Sequence, residues 1–238
     1  MFNFQNKLNF LNIKYMKTNV KLFAGMALIA ASLFITSCSN TPKGDEAQVT
    51  DEQVVDSTTG SEVLINTETS KVGFVGNGVG KNHPGFFKVS SGTLTAADGK
   101  INGGKVLIDI KSLVLNEKEE MFQAKLLPHL LSVDFFDAEI FPTAKFEITS
   151  VEPYTATATD SSVTAAANYK VSGNLTLKDA TKNVSFPAKI ENTNGVYTVV
   201  GSFNIDRTLW GIKYGNDKSL KDKFISEVVN ISLDIKSK

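Results

Sequence analysis

From about Val63 to the C-terminus the chain alternates apolar and polar residues with a period of two. Tyr169, Val171, Gly173, Leu175 and Leu177 interleave with Lys170, Ser172, Asn174, Thr176 and Lys178, the pattern of a strand with one dry face. Val184, Phe186, Ala188 and Ile190 repeat it, as do Val229, Ile231, Leu233 and Ile235. The same reading predicts strands over Lys71 to Val79, Phe86 to Thr95, Ile101 to Ile110, Thr143 to Val151 and Val196 to Ile205, which makes eight. Asp98-Gly99, Lys178-Asp179-Ala180 and Asn194-Gly195 supply turn residues between neighbours, and such short links require antiparallel pairing. One segment departs from the period. Asn116 is placed to cap a helix with Glu117, Glu119 and Glu120 in its first turn, and Phe122, Leu126 and Leu130 recur at four-residue spacing. Pro128 would open a second short turn, His129 to Ser132. Thr155 to Asn168, rich in Thr, Ala and Ser, reads as an exposed hairpin tip.

An antiparallel sheet with one apolar face buries it by stacking on another sheet or by closing on itself. Eight strands suffice to close, and at that number the interior either fills with side chains or holds one small ligand. Sixteen phenylalanines against a single tryptophan point to a bulky apolar lining. The expectation at this point is an all-β barrel or sandwich.

The N-terminal region has a different character. Lys17 and Lys21 precede an apolar run from Leu22 to Ile35, and Thr36-Ser37 leads into Cys38, the only cysteine. The run is short for a spanning helix, which needs about 20 apolar residues. The arrangement is that of a bacterial lipoprotein signal cleaved before Cys38, with Met16 an alternative start. Residues 1–37 are therefore expected to be a signal peptide, Cys38 to carry acyl chains, 38–61 to be a flexible polar tether, and 62–238 to be the folded domain. The lipid on Cys38 would hold the protein to a membrane of the bacterial envelope, on the periplasmic side or at the surface of the outer membrane. Removing residues 1–37 takes away four lysines and no acid. The remainder is mildly acidic, without the basic cluster that nucleic-acid binding requires.

Several stretches together resemble the YceI-like domain. They are His83-Pro84-Gly85-Phe86-Phe87, His129-Leu130-Leu131-Ser132-Val133-Asp134-Phe135-Phe136-Asp137, Phe141-Pro142-Thr143-Ala144-Lys145-Phe146, Val171-Ser172-Gly173-Asn174-Leu175-Thr176-Leu177-Lys178-Asp179 and Phe203-Asn204-Ile205-Asp206-Arg207-Thr208-Leu209-Trp210-Gly211-Ile212. The resemblance covers about residues 63 to 238. It implies an eight-stranded antiparallel lipocalin-like β-barrel with a short helical segment between the third and fourth strands. It also implies a binding protein, without established catalysis, that holds a polyisoprenoid or similar long-chain amphiphile in its bore. A packed scaffold for envelope protein–protein interaction, without lipid cargo, is the alternative. Lys178-Asp179-Ala180-Thr181 stands where the family usually has a glycine in the turn after the Leu-Thr strand.

Alternation and the resemblance together suggest Phe74, Phe87, Val89, Ile108, Phe146, Ile148, Val171, Leu175, Phe186 and Phe203 as ligand-binding positions, inward or at the mouth. A hydrocarbon tail asks for length and apolar walls rather than a hydrogen-bond pattern. His83, Arg207 and Trp210 are candidates for head-group or lid contacts, with an Asp206–Arg207 ion pair beside the indole. His129, Asp134 and Asp137 fit no standard zinc spacing, and no cofactor or metal is expected. The sequence holds no Gly-x-Ser-x-Gly elbow, phosphate loop or dinucleotide fingerprint.

Overall fold

The structure, a computed structural model, describes residues 43–78, 81–157 and 162–238. Eight strands make the barrel wall: β1 (Lys71–Gly78), β2 (Lys81–Ala97), β3 (Lys100–Leu115), β4 (Thr143–Pro153), β5 (Tyr169–Leu177), β6 (Ala180–Thr193), β7 (Val196–Asp206) and β8 (Val228–Lys236). Each pairs antiparallel with the next, and β8 returns to β1 from Asn230↔Val75 to Asp234↔Lys71, closing the sheet. Asp98 and Gly99, and likewise Asn194 and Gly195, both take positive φ. That is the two-residue turn whose twist matches antiparallel strands. Lys178 also takes a positive φ, of 53°, the conformation glycine adopts without steric cost.

β2 begins at Lys81 rather than Phe86. Pro84 has no donor to give, but its carbonyl accepts from the Asn116 amide, and register shifts at Phe86/Lys88 and Val89/Ser91 let the long strand bend. The Asn116 amide thus extends the β2–β3 ladder, and no side chain caps the helical segment. The helical segment starts later, as a wide turn over Phe122–Leu126 that runs into α1, Leu127–Leu131, with Pro128 in its first turn. Phe122, Leu126 and Leu130 pack against the core as their spacing predicts. This lid lies between β3 and β4. The connections after β1, β3, β5 and β7 share its end of the barrel, hereafter the lid end.

The expected flexible tether is corrected from residue 43 onward; Cys38 and the expected signal peptide lie outside the described residues. β6 and β7 pair only from Thr193↔Val196 to Ala188↔Gly201. Nearer the lid end they part, and the N-terminal segment fills the seam. Asp45–Glu46 pairs in parallel with Phe203 and Asn204 of β7, and Gln48–Asp51 pairs antiparallel with Lys182 to Ser185 of β6. Ser61–Leu64 adds a third short strand on β2.

Asparagines on the wall's outer face receive this strap. Asn174, Asn183, Asn204 and Asn230 occupy polar, outward phases yet are only 2–5 % exposed. Asn174 accepts from the Gln53 amide at 3.0 Å and donates to the Gln53 carbonyl at 2.7 Å, as a strand neighbour would, and Asn183 donates to Asn174. Asn204 donates to the Gly44 carbonyl and Asn230 to that of Lys43. Buried amides need such partners. The segment lacks the apolar content to fold alone, but it does not fold alone: it borrows two strand edges. Residues 162–168 also pack on the wall rather than forming an exposed tip. The Asp45 carboxylate accepts from Ser162 Oγ and the Val163 amide, and buried Thr164 accepts from the Ser202 amide.

Asn174→Ala removes both bonds to Gln53. It should lower unfolding free energy by about 2 kcal/mol in urea titration and speed amide exchange along Gln48–Asp51, with the barrel ladder itself unaffected.

Candidate functional site

Alternation turns one face of every strand inward, and the result is an apolar bore. All eight strands contribute to it, from Leu94, Ile101 and Ile190 near the far turns to Leu177, Val184 and Val229 at the lid end. The void left between these side chains is about 150 Å³. In an isolated cavity that volume admits a benzene; here it is drawn out along the barrel axis. Isoleucine and valine are its commonest lining residues, and six phenylalanines join them. Phe186 and Phe203 stack with centroids 3.9 Å apart, Phe146 lies 5.9 Å from Phe186, and Phe87 joins Phe74 at 5.4 Å and the lid's Phe136 at 5.3 Å. Gly173 is required here, because a Cβ at that position would collide with the Phe146 ring.

Nine of the ten ligand-binding candidates line the bore: Phe74, Phe87, Ile108, Phe146, Ile148, Val171, Leu175, Phe186 and Phe203. Val89, in phase with Phe87, is buried in the core but is not among the residues that line the void. Sequence reasoning passed over Val184, Ile205, Ile231 and Leu233, all marked by the same alternation. It also passed over Phe136 and Ile212, which no periodicity marks because they come from loops.

Arg207, the only arginine of the chain, meets the bore at the lid end. Its side chain is turned into the protein and grips four backbone carbonyls, those of Ser226 (2.8 Å), Ile212 (2.6 Å), Tyr214 (2.9 Å) and Ile225 (3.0 Å). Burial pulls its pKa below the ordinary arginine value, while Asp206 and Glu227 work in the opposite direction. The guanidinium stays charged and is satisfied by carbonyl dipoles. The expected Asp206–Arg207 ion pair gives way to this cage. Asp206 instead caps the short turn Arg207–Trp210, accepting from the Thr208 amide at 2.8 Å and from its hydroxyl at 2.6 Å. Trp210 is fully buried, and its one donor is spent on the Leu175 carbonyl at 2.9 Å.

His83 stands outside the bore, where the lid joins the wall. Its Nδ1 is 2.8 Å from Glu117 Oε1, and its ring meets Phe122 edge-on at 5.2 Å; Lys81 reaches the same carboxylate at 3.4 Å and lies over Phe122 at 4.1 Å. His129 pairs with Asp134 at 2.9 Å and packs against Phe135 and Tyr214. Among the described residues no three metal-ligating side chains gather into a site. The bore thus offers shape and apolar contact, with Arg207 and Trp210 at its edge spent on backbone carbonyls.

A family model for the YceI-like domain matches residues 64–237. A UPF0312 protein of Pseudomonas putida (strain W619) is 32% identical over 104 residues, a match covering 44% of this chain and 47% of that protein, so about half of the relative's length is spanned. Among solved structures, Burkholderia cenocepacia BcnA superposes with a TM-score of 0.57 at 22% identity, over 73% of this chain and 99% of that one. A polyisoprenoid binding domain from Saccharophagus degradans, implicated in plant cell wall breakdown, superposes with a TM-score of 0.54 at 13% identity, over 74% and 97%. At these identities the two structures speak for the fold.

Phe186→Ala takes out the centre of the ring stack. It should cost roughly 3–5 kcal/mol in urea unfolding and open the bore enough that benzene raises the melting temperature of the variant more than that of the parent.

Proposed function

The chain belongs to the YceI-like domain family, and from that membership we propose that its barrel binds the apolar chain of a polyisoprenoid or similar long-chain amphiphile. The observation that carries this reading is a bore lined by apolar side chains from every strand of the wall. Each methylene buried in it gains about 0.8 kcal/mol, so affinity grows with chain length and not with any polar contact. A polar head stays outside, because the cationic group at the bore's edge has four carbonyl partners of its own. The void of about 150 Å³ takes only the first part of such a chain. A long tail enters as Phe87, Phe136 and their neighbours change rotamer and the lid lifts. The tight packing is also what favours a second reading, a filled scaffold for a protein partner in the envelope.

We place the protein outside the cytoplasm, held through acyl chains on Cys38. The support for this is the lone cysteine at the end of a positively flanked apolar run.

Protein purified from its own host should carry lipid detectable by native mass spectrometry and by extraction, and should take up added prenyl lipids. An empty barrel that takes up none supports the scaffold instead. Leu175→Trp fills the bore and should weaken prenyl binding about tenfold; Val171→Phe, a smaller change on the same strand, guards against misfolding as the cause. Cys38→Ser should abolish incorporation of labelled palmitate and move the protein from the membrane fraction to the soluble one.

A further inference from the structure

The loop between β7 and β8 is shaped by Arg207. One guanidinium ties together the carbonyls of Ile212, Tyr214, Ile225 and Ser226, so both ends of the loop are drawn to one point. Gly211 and Gly215 make the turns with φ of 75° and 67°, and a Cβ at Gly215 would crowd Ile225 at 2.8 Å. A loop fixed in this way has the means to hide its apolar residues. Leu209, Tyr214 and Leu220 instead stand 41–46 % exposed. Around them Lys213, Lys218, Lys221 and Lys223 are all exposed, and the stretch Leu209–Lys223 carries these four lysines against two aspartates, an excess of two positive charges in the sequence. The lid beside it has the opposite balance, with Glu119, Glu120, Asp134, Asp137 and Glu139 against Lys118 and Lys125.

We propose that the loop Leu209–Lys223 is the edge by which the barrel touches an anionic lipid bilayer, its three apolar side chains entering the interface and its lysines meeting the head groups. Exposed apolar tips beside basic residues are what an interfacial contact needs, since apolar burial and attraction to anionic lipid add. The position fits the cargo as well. The loop borders the lid end of the bore, through Arg207 and Ile212, so a chain leaving the bilayer there reaches apolar wall without crossing water. That route rests on the chain-binding reading above; the contact itself does not.

The test uses the full chain in vesicles of phosphatidylglycerol and phosphatidylcholine with brominated acyl chains, which quench nearby indoles. Leu220→Trp and Val196→Trp place reporters on this loop and at a turn of the opposite end, over the same Trp210 background. Leu220→Trp should be quenched about twofold more than Val196→Trp; equal quenching, or the reverse order, overturns the proposal. A second arm follows a fluorescent prenyl alcohol. The combined Leu209→Ser and Leu220→Ser variant should take it from anionic vesicles about tenfold more slowly, with unchanged affinity for it in vesicle-free buffer. An unchanged transfer rate counts against the loop. Absence of uptake by the parent protein in buffer counts against the bore as a cargo site and leaves the quenching result to stand or fall separately.

Discussion

A wall of strands around an apolar interior is stable in water only if no strand edge is left open, because each unpaired amide or carbonyl cut off from water costs free energy and each free edge invites foreign pairing. In this protein neighbouring strands meet that requirement almost everywhere, including the return of β8 to β1. Pairing lapses between β3 and β4 beyond Lys105↔Glu147 and, more consequentially, in the seam between β6 and β7, where it stops at Ala188↔Gly201. The strap and the buried asparagines exist to satisfy what that divergence leaves over. Trp210, following β7 into the lid end, fills the space beneath with its indole bonded to Leu175 of β5. Wall, strap and plug are three answers to one demand.

The eight wall strands were legible because each has an inner face that must be dry and an outer face that must be wet, which writes a two-residue period into the chain. The bore followed from the same period, and nine of ten chosen residues do face it. What stayed hidden has no period. The strap is polar, and its partners are Asn174, Asn183, Asn204 and Asn230, which read as ordinary outward residues until a second layer of backbone covers them. The lid's start was misplaced for a related reason: β3 runs on to Leu115 and the Asn116 amide bonds Pro84 on neighbouring β2, so the helical segment begins only at Phe122, a tertiary extension that local propensity does not register. The sole arginine, read as half of an ion pair, finds carbonyls instead, since the loop that supplies them has no regular structure to reveal its path.

Packing and capacity pull against each other inside the barrel. Stacked rings such as Phe186 and Phe203 stabilise the wall through the contacts a cargo would have to replace. An aromatic lining eases this conflict. A ring presents a large apolar face whichever way it turns, so the bore can exchange ring-on-ring contact for ring-on-chain contact at little net cost. The polar pairs around the lid lie off the bore lining: His83 on β2 joins Glu117 at the lid's start, and His129 with Asp134 is internal to the lid.

The strap also carries a consequence for the order of assembly. Gly44 and Asn204, bonded across the seam, are 160 residues apart in the chain. The parts made first therefore find their seats only after the last strands have been synthesised. Contacts of such long range make folding slow, since loop closure must precede their reward. A nascent polypeptide of this kind stays open until it is complete, the condition in which a protein can be threaded through a narrow conduit before it acquires its final shape.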